Sequence, residues 1–305
     1  MVYLFLAIIC SSAIAIIFKY SEGNNMNRYA VTTSNYVMAF TVSLVMALME
    51  RNIYFSNDNV FKSFVEESKN VIIKNQGLFS NDSSIVWSII IGSVAGVFFF
   101  LSFIYYQKSV KENSVGLAGA FSKLGILVPM SLSIILWNEL PTKIQWVGIV
   151  LSMASILIVN LSFKKSNIEE IRFNLILLFL FGGMAEFSNK FFQKYAIDDY
   201  KSLFLFFVFF VAFIISLIFT IKRKQPVDKR DILTGFMVGI PNLFSSFFLI
   251  MALKPMKASV VYPIYSAGSI VVISLAGLLF FKEKLMRKEK VSIVMTIVAL
   301  ILINL

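Results

Sequence analysis

The chain contains no histidine and only one cysteine, Cys10. Without a second cysteine it forms no internal disulfide. Without histidine it carries neither a Cys/His metal site nor an imidazole acid–base catalyst. Charge is scarce as well, at 15% of 305 residues, against about 25% in soluble domains. Acids are the rarer sign, 17 against 28 Lys and Arg, for a net charge of +11. The basic residues fall in short loops without any nucleic-acid-reading pattern. The excess therefore points to anionic lipid headgroups and not to nucleic acid. No GxxxxGK[ST] loop occurs, so direct use of ATP is not encoded. No metal or cofactor is implied. An enzyme would need a convergent acid, base or nucleophile set, and the chain offers one acid deep in an apolar run. It is not expected to be an enzyme.

What is abundant is apolar sequence, 58% of residues with a mean hydropathy of +0.81. Runs long enough to cross a bilayer recur from end to end. Ten spans are expected, at 2–19, 29–49, 85–107, 114–136, 144–162, 172–192, 201–221, 232–253, 258–281 and 289–305. The fold class is all-α integral membrane protein, multi-pass, expected in the prokaryotic cell (inner) membrane. Residues Val2 to Phe18 end near a signal-like Ala13-Ile14-Ala15, but no basic region precedes them, so they read as a retained first helix.

The sequence is duplicated. Residues 113–161 and 257–305 align without a gap, pairing Ser122 with Ser266, Glu139 with Glu283, Val147 with Val291 and Asn160 with Asn304. The domains expected are a first five-helix repeat at 1–162, a linker at 163–171 and a second five-helix repeat at 172–305. Five helices per copy turn the second copy over, which makes an inverted repeat. The Gly92-xxx-Gly96 and Gly235-xxx-Gly239 pairs read as close helix packing. Lys19 aligns with Lys190. Residues 51–84 are a polar insertion in the first copy. There Phe61, Phe64, Val65, Val71 and Ile72 lie near helical spacing, with Lys62, Glu66, Glu67 and Lys69 between them. An amphipathic surface helix and a disordered loop both fit.

The stretches WNELPTKIQWVGIVLSMASILIV (137–159) and FKEKLMRKEKVSIVMTIVALILI (281–303) resemble the drug/metabolite transporter superfamily, in particular its EamA-like branch. The lead-in MALKPMKASVVYPIYSAGSIVV (251–272) adds to the likeness. The resemblance implies ten helices in two repeats and transport of a small molecule. It also implies both termini in the cytoplasm. The loop charges point the other way, because the face opposite the N-terminus holds nearly twice as many Lys and Arg residues.

Residues that break the repeat are the candidates for function. Lys123, opposite Ala267, lies deep in the fourth span, where a lysine costs about 2.5–3.5 kcal/mol and needs water, a partner or a ligand. Glu186, opposite Ala15, is the deep acid. It has three readings: a local pair with Lys190, a pair with Lys123, or proton uptake and release during transport. Asn189 shares its helix face. Asn35, Tyr106 and Asn242 are further candidate substrate contacts, as are Tyr262, Tyr265 and Ser266 around Pro263. Pro129, Pro241 and Pro263 each free a carbonyl inside a span. Isolated Ser and Thr more often bond their own backbone. Glu139 and Glu283 read as scaffold that caps the following helix, and Trp87, Trp137 and Trp146 as interface anchors. The many Phe side chains read as lipid-facing or helix contacts.

The function expected is secondary transport of a small organic solute by alternating access, with amino acids or related metabolites favoured and protons a candidate coupling ion. A lipid or lipid-linked-sugar translocator and a multidrug exporter remain open on the same fold. Membrane lipids are the other expected partners. Nothing in the sequence separates a monomer from a homodimer.

Overall fold

A computed structural model describes residues 1–50, 59–112, 121–160, 173–280 and 287–304. The regular structure among them is helical. The helices are α1 (Val2–Gly23), α2 (Arg28–Met49), α3 (Val60–Ser68), α4 (Asn81–Glu112), α5 (Leu127–Trp137) and α6 (Lys143–Asn160). They continue with α7 (Phe173–Tyr195), α8 (Lys201–Arg223), α9 (Lys229–Leu253), α10 (Ala258–Phe280) and α11 (Arg287–Asn304). Five stretches are long and apolar enough to cross a membrane by themselves: Arg28–Met49, Asn81–Tyr106, Phe173–Tyr195, Asp198–Arg223 and Lys229–Leu253. A 22-residue helix such as α2 is about 33 Å long, enough for the ~30 Å hydrocarbon core. Five shorter apolar helices supply the other expected spans. The linker at 163–171 and Glu283 lie outside the described residues.

Local chemistry sets the helix ends. Asn27 opens α2 by accepting the Tyr29 and Ala30 N–H groups at 3.1 and 3.3 Å, which satisfies donors the helix cannot pair itself. Asp228 and Asp231 form a capping box at the start of α9. Asn138 ends α5 at φ 53°, and Lys224 ends α8 at φ 50°. Inside the spans, hydroxyls return to their own backbone as expected. Ser12 donates to Ile8 O at 2.7 Å and Ser88 to Ser84 O at 2.7 Å.

Two features differ from the sequence reading. The fourth span is not continuous: residues 121–124 are helical, Gly125 and Ile126 form a turn, and α5 then begins. Pro129 falls in the first turn of α5, where a missing N–H costs little. The Gly125 carbonyl, which Pro129 cannot serve, accepts the Val128 N–H at 3.0 Å instead. The insertion is the second. It holds α3 followed by a π-helical turn, Lys69–Ile73, so of the two alternatives for its described part the helix is the one present. Phe64 and Val71 are buried, whereas Phe61 and Val65 are exposed.

The chain forms two compact units. The first comprises Met1–Ile16, Leu101–Phe187 and Pro255–Leu305, and the second Ile17–Phe100 and Ser188–Lys254. Neither coincides with a half of the sequence. Within the second unit, α2 packs against α8 and α9. A Cβ on Gly92 would meet Phe204 O and Phe207 Cβ, and one on Gly96 would meet Val208 O and Val211 Cβ. A Cβ on Gly235 would meet Val31 O and Ser34 Cβ, and one on Gly239 would meet Asn35 O and Met38 Cβ. The α2 and α8 contacts are related by one offset, 31 to 204, 34 to 207, 35 to 208 and 38 to 211. The two glycine pairs thus make the same crossing. Phe40 also packs in the α2–α8 seam, its ring centroid 5.6 Å from that of Phe210 and 5.1 Å from that of Phe213.

Within the first unit, α6 packs on α11. Gly148 abuts Ala299 and Ile303, and Ser155 shares a 2.9 Å hydrogen bond with Thr296. The Gly125 turn crosses α7 at Gly183, and Ser12 of α1 reaches Ser269 O of α10 at 3.4 Å. The alignment of the repeats relates these two crossings as well, Gly183 to Ser12 and Gly125 to Ser269.

Candidate functional site

The nine candidate residues divide between the units. Lys123, Glu186, Tyr106, Tyr262, Tyr265 and Ser266 belong to the first, and Asn35, Asn189 and Asn242 to the second.

In the first unit the helix break places Lys123 two residues before the Gly125 turn. Gly183 packs on that turn, three residues before Glu186 on α7. Lys123 and Glu186 are both half-buried. Helix α10 holds the backbone of both. Tyr262 donates its hydroxyl to Glu186 O at 2.7 Å, and one turn later the Ser266 hydroxyl donates to Lys123 O at 3.4 Å. Tyr262 is fully buried, Ser266 nearly so, and Tyr265 is buried beside them. Trp137, expected as an interface anchor, stacks on Phe187 with centroids 5.8 Å apart. Tyr106 is half-buried on α4. Its neighbour Tyr105 stacks on Phe181 at 5.4 Å and carries Lys108 over its ring at 4.9 Å.

The start of α10 is fixed from outside the helix. Glu139 Oε2 accepts the Ala258 N–H at 2.7 Å, Ser259 donates to Glu139 O at 2.9 Å and Lys257 donates to Leu140 O at 2.9 Å. Glu139 therefore caps a helix N-terminus, as expected of an acid there. The helix is α10, however, and not α6, the next in sequence. Sequence alone has no signal for that choice, because the two segments are more than 100 residues apart.

In the second unit the Asn242 amide donates to Asn35 Oδ1 at 3.1 Å. Beside it Thr33 bonds Ser216 at 3.3 Å and Thr220 at 2.8 Å, joining α2 to α8. Ser216 and Thr220 were not among the expected groups. Asn189 is buried on α7, and the buried Lys190 donates to Gln193 Oε1 at 3.3 Å and Leu253 O at 3.5 Å. Trp87 is also buried. It lies among Phe64, Phe79, Phe191 and Tyr195, because α3 folds over it. Outside the spans, Lys254 pairs with Asp198, whose hydrogen bond and charge hold the ammonium above its ordinary pKa. Burial raises the pKa of Glu50, against the opposing Ser202 hydroxyl at 2.8 Å.

These are buried polar and charged groups on apolar helices, five of them of membrane-spanning length. The EamA-like transporter family model matches residues 1–161 and 174–305. The uncharacterized membrane protein YvaE of Bacillus subtilis (strain 168) is 35% identical over 79 residues, which are 24% of this chain and 66% of that protein. The chain thus spans just under two thirds of the relative's length. A solved crystal structure is similar over 100% of this chain and 97% of its own, with a TM-score of 0.68 and 12% identity, a likeness of fold alone. With the family match running across almost every residue of an apolar chain whose described regular structure is helical, the chain belongs to the EamA-like transporter family, a ten-helix membrane fold.

Proposed function

We propose that the protein is a secondary transporter of a small organic solute, working by alternating access, and that its substrate is an amino acid or a related zwitterionic metabolite. The observation that carries the reading is that Lys123 and Glu186, of opposite charge, lie in one unit and that α10 bonds the backbone carbonyl of each. A zwitterion can divide this pair, its carboxylate taking the ammonium and its ammonium the carboxylate. A purely cationic solute would leave Lys123 uncompensated in a low-dielectric site, which is costly. Glu186 is also the group through which a proton could couple to the solute. Tyr262 is assigned here as a positioning residue, because its hydroxyl is committed to the Glu186 carbonyl.

The paired crossings support an ancestral duplication. Five helices per copy would then invert the second copy and give the two access states related geometries. The test is a thermal-stability screen of the purified protein against amino acids, amines, organic acids and sugars, followed by flux assays in proteoliposomes. Stabilisation by amino acids, lost in both Lys123→Ala and Glu186→Gln, is the expected result. Wild-type flux in both variants would overturn the assigned roles. Stabilisation by amines or sugars alone would overturn the substrate class.

A further inference from the structure

The α3 helix and the π-helical turn after it are fastened on one side and open on the other. On the fastened side the Phe64 ring lies 5.4 Å from Phe79 and 6.4 Å from Trp87. Glu67 accepts the Ser80 N–H at 2.9 Å and the Ser80 hydroxyl at 2.7 Å, which ties the segment to the start of α4. Val71 is buried beneath the turn. These contacts fix the depth of the segment. Trp87 lies in the second turn of α4, about 9 Å along its axis, and α4 begins a membrane span at Asn81. The segment is therefore held beside the first two turns of a span, in the layer where headgroups meet acyl chains.

The open side combines two chemistries. Phe61, Val65 and Ile73 are 69%, 46% and 79% exposed. Lys62, Lys69 and Lys74 are exposed among them. Glu66 is the exposed acid of the segment, since Glu67 is spent on Ser80. Apolar side chains beside snorkelling lysines at this depth are what an interfacial helix presents to a bilayer.

We propose that α3 and the turn after it are a membrane-binding element, with Phe61, Val65 and Ile73 entering the acyl-chain boundary and Lys62, Lys69 and Lys74 meeting anionic headgroups. The proposal does not depend on the transport reading. It is tested in the full chain, with Cys10→Ala as background and a nitroxide on one cysteine at a time. The labelled variants are Phe61→Cys, Val65→Cys, Ile73→Cys and, as an aqueous reference, Gln225→Cys in the exposed α8–α9 loop. The protein is reconstituted in phosphatidylcholine vesicles with and without phosphatidylglycerol. Labels at the three α3 sites should favour oxygen over a water-soluble nickel chelate several-fold more than the reference does. That preference should fall when Lys62, Lys69 and Lys74 are all changed to Gln in phosphatidylglycerol vesicles. Nickel access equal to that of the reference would overturn the proposal. So would spin–spin broadening that disappears on dilution with unlabelled protein, which would assign the face to a second copy. Phe61→Trp with Cys10 retained, read by quenching with brominated acyl chains, gives the same decision without removing the cysteine.

Discussion

Replacing Gly183 by alanine would place a methyl carbon 2.5 Å from Gly125 O and 2.5 Å from Val128 Cβ. Ordinary contact begins near 3.4 Å, so α7 and the turn before α5 would have to part by roughly 0.9 Å. The obstacle is backbone, which cannot rotate away as a side chain can. Gly182, one residue earlier on the same helix, is the matched control, since its added carbon meets only the Ser102 hydroxyl oxygen at 3.3 Å. Both changes gain about 0.8–1.0 kcal/mol of helix propensity. The Gly183 change also incurs an overpacking cost of about 1–3 kcal/mol. Gly182→Ala should therefore be neutral to mildly stabilising and Gly183→Ala destabilising, with a gap of about 1–3 kcal/mol. Reversible unfolding in mixed micelles of a mild detergent and dodecyl sulfate measures both. The crossing lies three residues from Glu186 and two from Lys123. Gly183→Ala protein that remains folded should therefore also lose flux, because the charge pair is re-spaced. Equal stability of the two variants would refute the crossing, and full flux in folded Gly183→Ala would refute its link to the pair.

Exchanging the charges, as Lys123→Glu with Glu186→Lys, should restore part of the stability lost in either single change but not wild-type flux, which thermal shift and proteoliposome uptake would show. Tyr262→Phe removes one neutral hydrogen bond, worth about 0.5–1.5 kcal/mol. It should lower flux at unchanged expression, and an unchanged flux would return Tyr262 to a packing role. Asn242→Leu should cost about 0.6 kcal/mol and at most ~1.7 kcal/mol, the range for polar contacts between membrane helices, and leave Asn35 to re-pair. A larger loss in the same unfolding assay would mean that Asn242 supports more than this one bond.

Much of the fold could be read from apolar run length, because in a bilayer the backbone must satisfy itself and long apolar runs have few alternatives to helix. The two glycine pairs also announced close crossings, and the structure supplies their partners in α2 and α8. The break at Gly125 was not readable, since hydropathy runs unbroken through 114–136. Of the residues around it, only Pro129 carried a signal, as a proline inside a span. Trp87 looked like an interface anchor by position alone, and its burial follows from a helix in an insertion whose packing partner is 23 residues away. The site was legible as residue types more than as roles. Lys123 and Glu186 stood out because charge is expensive in a span. The commitment of Tyr262 and Ser266 to their carbonyls depends on a pairing of distant segments that no local pattern encodes.

The interleaving of the two units has a consequence for synthesis. Helix α2 leaves the ribosome early, yet the helices it packs against, α8 and α9, begin at Lys201 and Lys229. Helix α6 likewise waits for α11, which begins at Arg287. Neither unit can close around its interior until the second half of the chain is in the membrane. Such non-local closure is slow and leaves early segments open to wrong partners. Halves expressed as separate chains should therefore be unstable alone and recover only when made together, which would turn a record of gene duplication into a requirement for co-assembly.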